Sequence, residues 1–303
     1  MLENCGPANH VAGGTKWGEG TGAVELMERL VEQERVERER VEQELTLARR
    51  IQQASLPRSV PELAGWEISH HYQPAREVSG DFYDFQLLSD GRLGLLVGDA
   101  TGKGVPAALV MATTCGMLRA VSQALGSSSP GEVLEQVNEA LCPNIPSSMF
   151  VTCFSTILDP ESGRLLYANA GHDLPCLWHD GGAQQLSARG MPLGLMPGMG
   201  YEEKQTILGA GDCTLFYSDG LVEAHNPEGE MFGFPRLRAL VVVLREDRSL
   251  GNILLKELYS FVGDGWEQED DITLVILERS ATRSCPSENL ITCMRRREQG
   301  TSA

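Results

Sequence analysis

From Ala23 to Leu56 the chain contains neither glycine nor proline, and between Glu32 and Glu44 glutamate alternates with arginine and glutamine. Nothing in such a stretch breaks a helix, and its residues are strong helix formers, so a long helix over 22–56 is the expectation. A heptad seam runs through Val24, Met27, Val31, Glu34, Arg38, Val41, Leu45 and Ala48. The polar steps at Glu34 and Arg38 weaken it, because coiled-coil core positions want apolar side chains. A helix this long and polar has little reason to stay ordered alone, which favours a homodimer through 22–56 over a solvated helix packed on its own domain. Pro57 and Pro61 end the pattern.

Residues 1–21 are rich in glycine and polar residues without periodicity, which predicts a flexible tail; 280–303 likewise lacks a pattern and predicts a disordered one. The segment 57–279 changes to short strands. Trp66–Tyr72 alternates apolar and polar residues with period two, and Leu93–Val97, Phe150–Leu158, Leu165–Ala168, Cys213–Tyr217 and Ile272–Leu277 read as further strands. Helices are expected at Val105–Val121, after the capping box Ser129-Pro-Gly-Glu132, and along the face Leu250, Ile253, Leu254, Leu258 and Phe261. Strands arriving in pairs favour an α+β layered sandwich over a doubly wound parallel sheet.

Composition excludes several functions. The formal charge of −17, with no basic stripe, argues against a nucleic-acid partner. No uninterrupted apolar run approaches the roughly 20 residues of a membrane-spanning helix, and the N-terminus has no signal-peptide pattern, so a cytoplasmic protein is expected. The eight cysteines form no CxxC pair and no Cys/His cluster, and read as small core residues. Gly98-Asp-Ala-Thr-Gly-Lys-Gly104 is no phosphate-cradling P-loop, since only three residues separate its first two glycines and Gly104 follows Lys103 where that loop has Ser or Thr.

The chemistry lies in the aspartates. Asp81, Asp99, Asp219 and the pair Asp270–Asp271 all fall at strand ends beside glycine or another acid. Any one of them is an ordinary turn residue. Several carboxylates held near apolar strand cores are costly unless capped, paired or metal-bound, and hard cations of the magnesium and manganese type take such oxygen ligands.

At these residues the sequence resembles a known family. Pro74-Ala-Arg-Glu-Val-Ser-Gly-Asp-Phe-Tyr-Asp84, then Val97 through Met111, Tyr167-Ala-Asn-Ala-Gly-His172, Met191-Pro-Leu-Gly-Leu195, Tyr217-Ser-Asp-Gly-Leu-Val-Glu-Ala224, Asn226-Pro-Glu-Gly229 and Asp270-Asp-Ile-Thr273 are similar to the SpoIIE/RsbU-like bacterial branch of the PPM (PP2C-type) serine/threonine phosphatases. Ser79, where a glycine is common, is a mild departure. The resemblance implies an α-β-β-α sandwich over 57–279 with two divalent cations, Mn2+ or Mg2+, between the sheets. By it, Asp99 bridges both cations with the Ala100 carbonyl as a further ligand, Asp81 completes one, and Asp219 and Asp270 the other. Asp271 ranks below Asp270. A metal-activated water then hydrolyses a phosphoserine or phosphothreonine on a regulatory protein, which the family suggests is a STAS-type anti-sigma-factor antagonist. Arg76 is a candidate for holding the substrate phosphate through a forked hydrogen bond. His172 fits an acid or ligand role less well than a turn role, and Asp84 fits a supporting one. The competing reading is a catalytically silent scaffold of the same fold that signals through its coiled coil.

Overall fold

The computed structural model describes residues 19–126, 129–179, 181–244 and 250–280. Of the expected tails, 1–18 and 281–303, with Cys5, Cys285 and Cys293, lie outside the described residues; residues 19–21, expected in the flexible tail, instead open a helix. By its contacts the chain divides into two units, 1–47 and 48–303.

In the first unit the described residues belong to the helix α1 (Glu19–Gln53), whose last turns lie in the second. Ion pairs one turn apart hold its surface: Arg35 with Glu32 at 2.7 Å, Arg38 with Glu42 at 3.1 Å and Arg40 with Glu44 at 3.3 Å. Each such exposed pair contributes only about 0.3–0.5 kcal/mol. Of the predicted seam, Val24, Met27, Val31 and Val41 are exposed, together with Leu26 and Leu30.

The second unit contains two five-stranded sheets, antiparallel throughout. One runs β1 (Trp66–Gln73), β10 (Ile272–Arg279), β9 (Cys213–Tyr217), β6 (Cys176–His179), β7 (Gly182–Gln185). The other runs β2 (Asp81–Leu87), β3 (Leu93–Ala100), β4 (Val151–Leu158), β5 (Arg164–Ala170), β8 (Glu203–Ile207). Helices α2 (Val105–Leu125) and α3 (Pro130–Leu141) pack on the second sheet, and α5 (Gly233–Leu244) and α6 (Leu250–Val262) on the first. The α-β-β-α order expected from the resemblance is therefore the observed one.

Aromatic rings join the sheets. Phe154 on β4 meets Phe216 on β9 with ring centroids 6.0 Å apart, and Tyr83 on β2 meets His70 on β1 at 4.9 Å. Phe82, Phe154 and Phe216 are fully buried, and truncating any of them removes about 3–5 kcal/mol. A separate core, built on Phe232, Leu237, Leu254 and Leu258, seats α5 and α6 against β9 and β10.

Local signals explain several boundaries. Ser129 caps α3 by accepting from the Glu132 backbone N–H at 3.2 Å. Helix α2 runs four residues past the expected Val121. By length and composition it is the one helix among the described residues apolar enough to cross a membrane. Its apolar side instead forms core, with Ala107, Met111, Cys115 and Leu118 buried in the cluster that includes Phe82 and Val97. Cys115, Cys153, Cys176 and Cys213 are buried thiols, as small core residues should be.

Candidate active site

Strand pairing assembles the acids. The β2–β3 register sets Asp81 directly opposite Asp99. Asp99 lies within β3, which continues to Ala100 rather than stopping at Val97 as the sequence suggested. In the facing sheet β9 ends at Tyr217, and Asp219 opens the single-turn helix α4 (Asp219–Val222). Asp270 and Asp271 immediately precede β10, the partner of β9. Ser218 and Thr273 tie these two strand ends together: the Ser218 N–H donates to the Thr273 carbonyl at 3.0 Å, and the Thr273 N–H to Ser218 Oγ at 2.9 Å.

Asp99, Asp219 and Asp270 line one open cavity of about 630 Å³. Thr101, Lys103, Thr152, His172, Asp173, Gln185 and Glu223 also line it. Asp81 lies behind Asp99, buried, with its Oδ2 accepting from Thr273 Oγ1 at 2.6 Å. The Ala100 carbonyl sits beside them: a methyl group on Gly80 would stand 2.7 Å from both Ala100 O and Asp99 Oδ1. Only glycine lets the backbone come this close to two converging oxygens.

The acids repel one another. Burial first, then Asp219, Asp270 and Asp271, push the Asp99 carboxyl up to about 8. Burial and Asp270 push Asp219 up to about 6. Burial, with Asp99 and Asp271 nearby, raises Asp81 well above the usual carboxylate range. Carboxylates crowded this way want a cation. Among the described residues no three acid, imidazole or thiol groups are already closed around one point. The side chains are turned to other partners, Asp81 to Thr273 and Asp270 to Lys103 Nζ at 2.8 Å. An all-oxygen donor set in which burial and neighbouring acids raise Asp81, Asp99 and Asp219 fits hard divalent cations, and the lysine at Asp270 is a cation already drawn to that set.

Asp271 does something different from its neighbour. Its Oδ1 accepts from the Ala75 N–H at 2.7 Å, and its Oδ2 from Ser79 Oγ at 2.7 Å and the Gly80 N–H at 2.8 Å. It thereby pins the loop that leads into Asp81, while Asp270 faces the cavity. Ser79 is useful here: its hydroxyl also accepts from the Asp81 N–H at 3.0 Å. Gln52 grips the same loop, donating to the Ser79 carbonyl and accepting from its N–H.

His172 is buried in a turn closed by Asn169, whose Oδ1 accepts from the His172 N–H at 2.8 Å. Its Nδ1 meets Thr152 Oγ1 at 2.9 Å, and its Nε2 is sealed from solvent. Burial pushes its pKa down to about 4 against a smaller pull from the Tyr217 backbone, so the ring is neutral near pH 7. Asp84 pairs with Arg119 of α2 through two hydrogen bonds, 2.7 and 2.9 Å. Arg76 is exposed on the 74–80 loop and is not among the residues lining the cavity. Lys103, Asp173 and Glu223 do line it, although sequence reasoning did not select them; each lies within or beside a family motif, at Gly102-Lys-Gly104, after His172, and before Ala224.

Two packed antiparallel sheets, helices outside both and acids gathered from opposed strand ends define a PP2C-type domain. The SiaA PP2C domain of Pseudomonas aeruginosa superposes with a TM-score of 0.70 at 23% identity, covering 80% of this chain and 98% of that one. The family model for Stage II sporulation protein E (SpoIIE) matches residues 89–280, and the chain belongs to that family. Protein IcfG of Synechocystis sp. is 32% identical over 267 residues, which cover 78% of this chain and 42% of that protein. The phosphoserine phosphatase RsbU of Bacillus subtilis is 29% identical over 245 residues, covering 78% of this chain and 70% of RsbU. The chain thus matches less than half the length of IcfG.

Proposed function

We propose that this chain is a metal-dependent protein phosphatase that hydrolyses phosphoserine or phosphothreonine on a regulatory protein, by family resemblance a STAS-type anti-sigma-factor antagonist, in the cytoplasm. The observation that carries this reading is the gathering of Asp99, Asp219 and Asp270 on one cavity, with Asp81 behind Asp99, and with Asp81, Asp99 and Asp219 raised above the usual carboxylate range by burial and by neighbouring acids. The similarity to RsbU, a phosphoserine phosphatase, supports it.

Asp81, Asp99, Asp219, Asp270 and the Ala100 carbonyl are the groups that would hold two divalent cations, Mn2+ or Mg2+. When bound, such cations supply Lewis-acid activation of water and charge neutralisation at the phosphoryl oxygens. The chain's own residues prepare the site. Thr273 orients Asp81, and Asp271 with Ser79 holds the loop that delivers it. His172, neutral and bonded to Thr152, carries no charge toward the substrate. Arg76, at the loop Asp271 pins, is a candidate phosphate contact. Residues 22–56 join two copies into a homodimer, a reading supported by the exposed apolar side chains Val24, Met27, Leu30 and Val31.

The test is manganese-dependent release of phosphate from a phosphoserine protein. Wild type releases it, and Asp219→Asn lowers the rate by at least about a hundredfold, since a group acting on the reacting atoms is lost. Equal rates for the two, or no release with any phosphoserine substrate, refute the reading and leave the silent scaffold.

A further inference from the structure

The turn 101–104 links the strand bearing Asp99 to α2. Gly102 (φ 96°) and Gly104 (φ 72°) hold left-handed backbone on either side of Lys103, a conformation that side-chain-bearing residues resist. The base of the turn is fixed: Thr101 donates to the Phe150 carbonyl from its N–H at 2.9 Å and from its Oγ1 at 2.7 Å. The lysine reaches from there to the start of β10. Its Nζ donates to the Glu269 carbonyl at 2.5 Å and pairs with Asp270 Oδ2 at 2.8 Å. Among the described residues lining the cavity it is the one lysine or arginine, against Asp99, Asp173, Asp219, Glu223 and Asp270.

Two features make this pair unlike a structural one. The side chains are 42% and 40% exposed, so the attraction is screened and worth only about a two- to fivefold bias in an equilibrium. Asp270 is also a group the proposed cations need. An ammonium has three donors, and here one serves the Glu269 carbonyl and another Asp270. A cation that takes Asp270 frees the second donor while the first still tethers Nζ at the cavity wall.

We infer that Lys103 binds a phosphoryl oxygen of the substrate, and that its pair with Asp270 is the resting arrangement from which a divalent cation releases it. The inference rests on the metal-dependent reading of the site. A phosphate ester arrives as an anion in a cavity lined by five carboxylates, and a flexible ammonium is the chain's own means of offsetting them. Arg76 competes for the assignment, but it lies outside the cavity lining.

The experiment uses the full chain as wild type, Lys103→Met, Lys103→Arg and Arg76→Met. Thermal melting first establishes that each variant is folded. Calorimetric titration of Mn2+ into metal-free protein, of inorganic phosphate into manganese-loaded protein, and KM for a phosphoserine peptide follow. Lys103→Met is expected to bind Mn2+ about two- to fivefold more tightly, because the internal competitor is gone. Its affinity for inorganic phosphate falls, and its KM rises, by about tenfold to a hundredfold, the worth of one charge-assisted hydrogen bond. Lys103→Arg recovers most of the phosphate affinity. Unchanged Mn2+ affinity in Lys103→Met, unchanged phosphate affinity, or a KM effect found in Arg76→Met instead overturns the inference. Wild-type protein that takes up no manganese removes the reading of the site and the inference with it, whereas wild-type uptake matched by Lys103→Met removes the inference alone.

Discussion

Neighbouring aspartates with opposite duties make a sharp test. Asp271 is buried and accepts three hydrogen bonds from the loop before Asp81, whereas Asp270 faces the cavity and pairs with Lys103. Asp271→Ala leaves the Ala75 and Gly80 N–H groups without acceptors. Each such loss costs about 1–3 kcal/mol. The Ser79 hydroxyl keeps its bond from Asp81 N–H, and relief of repulsion on Asp81 and Asp99 returns part of the loss. The net is about 3–4 kcal/mol, which for a domain of this size lowers the melting temperature by on the order of 10 °C. Asp270→Asn removes only a screened pair worth less than about 1 kcal/mol, a shift of at most about 3 °C. The assay is thermal unfolding of both variants in chelator, with a parallel manganese titration in which Asp270→Asn loses affinity. If Asp271→Ala melts within about 2 °C of wild type, or Asp270→Asn falls as far as Asp271→Ala, the division of labour between them is wrong.

The metal-free protein should also lose stability as pH rises. Asp99 and Asp219 have folded-state pKa values near 8 and 6, above the ordinary carboxylate value, so their protonated forms favour the fold below about pH 4 and that contribution is lost as pH rises through 6 and 8. Melting in chelator from pH 5 to 8 should show a falling trend that saturating manganese flattens; a rising trend in chelator contradicts the assignment. Arg119→Met leaves the buried Asp84 carboxylate without its cation, with the Phe85 N–H and the Gln86 amide as its remaining donors, and should cost about 3–5 kcal/mol, whereas adding Asp84→Leu recovers much of it; equal costs for the single and double variants refute the pairing. In Gly80→Ala the new methyl meets Ala100 O and Asp99 Oδ1 at 2.7 Å, so manganese affinity should drop at least about tenfold; wild-type affinity shows that these oxygens are not ligands. Sedimentation of the chain with and without residues 22–56 should give dimer and monomer respectively, and a monomer in both ends the dimer proposal.

Much of this architecture was legible because its strands obey simple patterns. Trp66–Gln73 alternates, and β9 and β10 are near-continuous apolar runs, as strands covered on both faces must be. Strand β2 hides its pattern, because Asp81 and Asp84 occupy buried positions among Phe82 and Tyr83 and look like turn residues. Edge strand β8, Glu-Lys-Gln-Thr-Ile, is mostly exposed and has no apolar face to announce it. Helix α5 opens with Gly-Phe-Pro, which reads as a loop until Leu237 and Val241 are seen to be buried.

The site was legible in its carboxylates and not in what surrounds them. An aspartate beside glycine at a strand end is visible in one dimension. The carbonyl of Ala100 came only through family resemblance, since every residue has a carbonyl. Lys103 and the Glu269 carbonyl are 166 positions apart, and Asp84 and Arg119 are 35. Contacts over such separations are decided by strand order, which local periodicity does not encode.

Diffraction from crystals grown with manganese, recorded at the metal's absorption edge, tests the central claim most directly. Two anomalous peaks in contact with Asp99, and shared among Asp81, Asp219, Asp270 and the Ala100 carbonyl, are the predicted result. An empty cavity at saturating manganese, or peaks bound elsewhere on this acidic chain, would contradict it.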